Sequence, residues 1–77
     1  MQNFMSITIT RYGNCPEMDH GHVYINVGKL DTAMRVDVET ARKQLARLAK
    51  ILGEAPKMNI NQFNPSISYV QLSGFID

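Results

Sequence analysis

The feature that most restricts this fold is one amphipathic helix set between segments that alternate like strands. Asp37 is a good N-cap, because its carboxylate can accept hydrogen bonds from the first free backbone amides. Val36 before it and Ala41 after it form a weak hydrophobic staple, and Glu39 suits the positive end of the helix dipole. Val38, Ala41, Leu45, Leu48, Ala49 and Leu52 then recur at helical spacing along one stripe. Gly53 is a natural stop and Pro56 prevents continuation. The spacing predicts a helix over Val38 to Leu52. A single helix can cover only one side of a sheet, so the other side needs a separate explanation.

The flanking segments read as strands. Met5, Ile7 and Ile9 alternate with Ser6, Thr8 and Thr10 in a run ending at Tyr12. Gly13 to Gly21 is polar and bounded by glycines, which reads as a loop. Val23, Ile25 and Val27 alternate with His22, Tyr24 and Asn26. Gly28 to Asp31 reads as a turn, and Met34 and Val36 resume the pattern, so a β-hairpin is expected. After the helix, Met58 and Ile60 lie in a run from Lys57 to Phe63. Asn64-Pro65-Ser66 makes a turn. Ile67 to Ile76 has apolar residues on both faces, and Gly74 suggests a bulge or bend. The expected fold is α+β: a single antiparallel sheet with one helix on one face, in the order β-β-β-α-β-β. It forms one domain over residues 1–77, with residues 1–4 expected to fray. Ile7, Ile9, Val23, Ile25, Val27, Met34, Val36, Leu45, Leu48, Leu52 and Ile60 are the expected core.

Composition narrows the function classes. A chain of 77 residues buries only about 60% of its unfolded surface, which leaves little room for a deep catalytic pocket beside the core. A hydrophobic fraction of 44% argues against intrinsic disorder. The net charge of +1 excludes a strongly acidic DNA mimic and gives no chain-wide basic footprint. The lone cysteine, Cys15, cannot form an internal disulfide and points to a reducing compartment. The N-terminus lacks the pattern of a signal peptide, and no apolar run approaches the roughly 18 residues of a membrane span. A cytoplasmic location without membrane attachment is the expectation.

Three residue groups are candidate sites. Cys15, Glu17, Asp19, His20 and His22 include zinc-ligand types, but C-x4-H-x-H is not a recognised zinc spacing and no second Cys/His pair follows. A Cys15/His20 nucleophile pair lacks a third orienting group, and Pro16 removes the next backbone amide as a donor. No metal, cofactor or catalytic residue is therefore assigned, and the chain reads as a non-enzyme. Arg42, Lys43, Arg47 and Lys50 form a basic helix face that could follow phosphates, although such a row also simply keeps a helix solvated. Tyr12, Tyr24 and Tyr69, with Asn26, Arg35 and Gln71, fall on the side of the sheet away from the helix. Tyrosine and arginine there offer the large contact area and polar tips typical of interface hot spots. Strand tyrosines also follow β-propensity alone, and a homodimer would equally cover the face.

In size and layout the chain resembles the small single-domain proteins encoded by phages and mobile elements that inhibit a host defence complex, anti-CRISPR proteins among them. The resemblance lies in a compact sheet, one helix carrying Thr40-Ala41-Arg42-Lys43-Gln44-Leu45, one cysteine and no catalytic motif. Such inhibitors share no common motif, so the resemblance assigns no residue. It implies steric or allosteric blocking through a protein surface. The expected function is a protein-binding inhibitor or modulator with a protein or ribonucleoprotein partner, contacted through Tyr12, Tyr24, Asn26, Arg35 and Tyr69. The alternatives are a nucleic-acid-binding accessory protein using the basic helix face, and a structural subunit of a larger assembly.

Overall fold

The computed structural model describes residues 3–76. Five strands and one α-helix follow in the expected order: β1 (Phe4–Tyr12), β2 (His20–Val27), β3 (Leu30–Val36), α1 (Val38–Leu52), β4 (Lys57–Ile60) and β5 (Ile67–Phe75). A short 3-10 turn, Pro16–Met18, lies between β1 and β2. All strand pairs are antiparallel, and the sheet order is β3-β2-β1-β5-β4.

The helix forms where its caps are written. Thr40 N donates to Asp37 Oδ2 at 3.1 Å and Thr40 Oγ1 donates to Oδ1 at 2.6 Å. At the other end Gly53 takes φ 66°, a left-handed conformation that suits glycine, and its N–H donates to Ala49 O at 2.9 Å. Ala41, Leu45 and Leu48 point from this helix into the core, where they meet Met5, Ile7, Ile9, Val23 and Leu72. Ile25, Val36, Val38, Ala49, Leu52, Val70 and Ile76 pack around them.

Two glycines set how closely the helix approaches. A Cβ on Gly21 would lie 2.2 Å from Ala41 Cβ, so the helix rests almost directly on the β2 backbone. A Cβ on Gly74 would lie 2.7 Å from Leu52 Cδ1. The β1–β5 register runs unbroken through Gly74, so this glycine makes room for Leu52 and marks no bulge.

Of the expected core, Ile25, Val36 and Leu52 are half-buried and three residues are exposed. Val27, Met34 and Ile60 are all about half exposed or more, Ile60 at 64%. The helix packs on β1, β2 and β5, the three central strands. A helix about 10 Å wide covers two or three strands spaced about 4.8 Å apart, so the inward positions of the two edge strands stay open. Met5 and Leu72, in the central strands, are buried in their place. The hairpin also differs from expectation. The turn has only two residues, Gly28 and Lys29, with Gly28 at φ 63°, and β3 begins at Leu30. β2 likewise begins at His20 instead of His22, and β4 ends at Ile60.

Candidate functional site

The register divides the strand residues between two faces, because paired residues point the same way. Tyr12, Tyr24, Asn26, Arg35, Tyr69 and Gln71 all fall on the face away from the helix. No second layer covers that face among the described residues.

The face is organised into two aromatic groups with a polar row between them. At one end Phe4 stands between Tyr24 and Phe75, with ring centroids 6.2 and 5.4 Å away and both contacts edge-on. At the other end Tyr12 stacks on His20 at 6.0 Å, and His20 meets His22 edge-on at 4.9 Å. His20 Nδ1 donates to Met18 O at 2.8 Å, which holds that ring in place. Between them, Arg35, His22, Thr8, Gln71 and Lys57 lie side by side across all five strands. The sequence reading of this face lacks Phe4 and Phe75, and it weighs His20 and His22 only as metal-ligand or nucleophile candidates. Phe4 sits in residues expected to fray, yet it pairs with both neighbouring strands, and Ile76 N donates to Asn3 O at 2.7 Å beside it.

The outward strand positions of the described residues carry two exposed cations, Arg35 and Lys57, and one carboxylate, Asp31, and Glu54 lines a hollow on the same face beside Lys57, Gln71 and Ser73. Asp31 is already engaged, since the Asn26 side-chain amide donates to its carboxylate.

One flank of the face carries an anchored loop. Asn61 Oδ1 accepts from Phe63 N at 2.8 Å and Asn64 N at 3.0 Å, and Asn64 Oδ1 accepts from Ser66 N at 3.2 Å and Ser66 Oγ at 2.6 Å. Asn61 Nδ2 in turn donates to the Tyr69 hydroxyl at 3.2 Å. This loop presents Phe63 at 89% exposure. The signal in the sequence was the Asn61-Gln62-Phe63-Asn64 run, whose asparagines can close local turns with their own side chains.

The remaining candidates do not assemble. Cys15 is a free, half-buried thiol leading into the 3-10 turn. Asp19 instead fastens the loop to β1: its carboxylate accepts from Tyr12 N at 2.6 Å and lies 3.6 Å from Arg11 Nε. Among the described residues no three His, Cys, Asp or Glu side chains are grouped to hold a metal ion. Arg42, Lys43, Arg47 and Lys50 are exposed on α1, on the opposite side of the molecule from the aromatic face. Lys43 lies 3.9 Å from Glu39, and Arg47 lines an apolar hollow of about 240 Å³ with Met5, Ile25 and Ile51. The helix is not long and apolar enough to cross a membrane. No protein family, curated protein or solved structure compared with the chain matches it.

Proposed function

We propose that this protein is a non-enzymatic binding module that docks a protein partner on the uncovered face of its sheet. It would act as the resemblance to small phage-encoded inhibitors implies, by occupying a surface of a host complex. The observation that carries the reading is the pair of aromatic groups, Phe4/Tyr24/Phe75 and Tyr12/His20/His22, on a sheet face with no layer above it among the described residues; Phe75 and His22 are exposed and the other four rings half-buried. Aromatic side chains mounted on a rigid element give contact area at low entropic cost. Arg35, an exposed cation on the same face, favours a partner carboxylate opposite it. A protein fits better than a nucleic acid, because two outward cations at opposite edges are too few to track a phosphate backbone.

The test begins with affinity capture on the immobilised wild-type chain, Tyr24→Ala, Arg35→Ala and the double charge reversal Lys43→Glu/Arg47→Glu. The partner is the protein retained by immobilised wild type and absent from a blank matrix, and the three variants are then compared for its retention. Calorimetric titration of that purified protein should show Tyr24→Ala weakening binding by about 2 kcal/mol or more, roughly thirtyfold. The helix reversal should change mainly the on-rate and its salt dependence. Face variants that bind normally, together with steep salt-dependent binding of wild type to a random oligonucleotide, would refute the reading in favour of the basic helix.

A further inference from the structure

The two edges of the sheet are unequal. β4 has only four residues and follows directly on Pro56, so it offers a short edge. β3 has seven, Leu30 to Val36, with no proline and no lysine, and it pairs only with β2. Every β3 residue except Val36 is exposed. The tight hairpin fixes which backbone groups are unused. Val27 and Leu30 close the two-residue turn, so their N–H and C=O groups bond each other. Alternation then turns those of Thr32, Met34 and Val36 toward β2, and those of Asp31, Ala33 and Arg35 toward the open edge.

We propose that β3 pairs edge to edge with β3 of a second copy of this chain, antiparallel about a two-fold axis at Ala33. Only a two-fold arrangement makes one strand its own partner. With Ala33 opposite Ala33 of the second copy, Asp31 faces the second copy's Arg35, and Arg35 faces its Asp31. Both charge pairs fall on the outward face. The three outward-pointing backbone positions meet their counterparts in hydrogen-bonded pairs. On the helix side of the sheet, Leu30 comes opposite the second copy's Val36, and Thr32 opposite its Met34. The smallest side chain of the strand sits on the axis, where two identical residues approach each other. Asn26 supports the arrangement by holding the Asp31 carboxylate from the neighbouring strand.

The same charges select the register. Centring the pair on residue 31 sets Asp31 against itself, and centring it on residue 35 sets Arg35 against itself. Parallel pairing in register does both. Each alternative opposes like charges, which destabilises a cross-strand pair. Charged residues on an edge strand usually prevent association. Here their four-residue spacing makes them complementary across the axis. The product is a continuous ten-stranded sheet with both helices on one side and both aromatic faces on the other. A partner with two sites would then meet two docking faces at once. A single strand pairing buries less than a standard interface of about 1,600 Å², so the association depends on protein concentration.

Sedimentation equilibrium on the full chain across a wide concentration range tests this. Wild type should approach twice the mass of the chain. Asp31→Arg and Arg35→Asp, each alone, should weaken self-association by at least about tenfold, because each opposes like charges twice. An equimolar mixture of the two should recover association, since each then supplies the charges that the other lacks. D31R/R35D should also recover it. Ala33→Pro removes only an outward-pointing N–H and should abolish pairing while the fold, followed by circular dichroism, persists. Wild type that stays monomeric up to about 1 mM, a range centred on weak transient interfaces, would overturn the proposal. So would single charge variants that associate as wild type does, or a mixture no better than its components. The pairing uses the strand edge and stands apart from the docking proposal. D31R/R35D separates the two, because it restores pairing while leaving position 35 without its guanidinium for docking.

Discussion

Gly21→Ala should destabilise this protein, although strand propensity alone predicts the reverse. Alanine in place of glycine within a strand ordinarily gains about 0.5–1 kcal/mol. Here the added Cβ would sit 2.2 Å from Ala41 Cβ and 3.3 Å from Val36 Cγ2. Carbon atoms rest at about 3.5–4.0 Å, so helix and strand must separate by about 1.3 Å or more. Ala41 is fully buried on the helix face that meets the sheet, so the helix cannot yield without disturbing Leu45 and Leu48. Overpacking of this kind costs about 1–3 kcal/mol, which lowers the melting temperature of a domain this size by about 4–24 °C. The cause is checked by a double-mutant cycle read by thermal and urea unfolding. Ala41→Gly alone should cost about 1 kcal/mol through helix propensity. Combined with Gly21→Ala it should recover about 1 kcal/mol or more relative to additivity, because the clashing methyl is gone. Gly21→Ala with an unchanged or raised melting temperature, or a strictly additive double variant, would refute the packing described for α1.

Leu48 is 1% exposed and Ile51, three residues on, is 56% exposed. Leu48→Ala should therefore cost about 2–5 kcal/mol, against about 0.5 kcal/mol or less for Ile51→Ala, in the same unfolding assay. The Asp37 carboxyl is held below its ordinary value of 3.8, chiefly by the Thr40 hydroxyl and then by the Thr40 N–H. A depressed carboxyl contributes its stability fully above the unfolded value and loses it as pH falls through the lower folded one. Melting temperature should thus fall in acid below pH 3.8 in wild type, and less steeply in Asp37→Asn, which keeps a capping oxygen but does not titrate.

The helix was legible to the residue because its boundaries are chemical. Asp37, Gly53 and the leucine stripe each act within a few positions along the chain. β1 was legible for a similar reason, since Met5, Ile7 and Ile9 are buried on one side and the alternation follows burial directly. β3 was half missed because an edge strand with little to bury has no apolar alternation to display. Its Leu30-Asp31-Thr32-Ala33 stretch is set by the tight turn at Gly28 and by pairing with β2. Gly74 looked like a break because a glycine in a strand has two uses. Only the approach of Leu52 from the helix distinguishes a bulge from a packing gap. The candidate face was readable as three tyrosines and an arginine on outward positions. Its grouping was not, since Phe4 reaches Phe75 only through the β1–β5 pairing, which joins the two ends of the chain.

The most direct test of the docking face is site-specific photocrosslinking. A benzoylphenylalanine placed at Ser73, an exposed position on the outward face, and in a second variant at Arg47, would be irradiated in cells that naturally carry this chain. The account predicts a covalent adduct to one protein from position 73, and little or none from position 47 on the far side of the molecule. Adducts that form from position 47 and not from position 73 would contradict it.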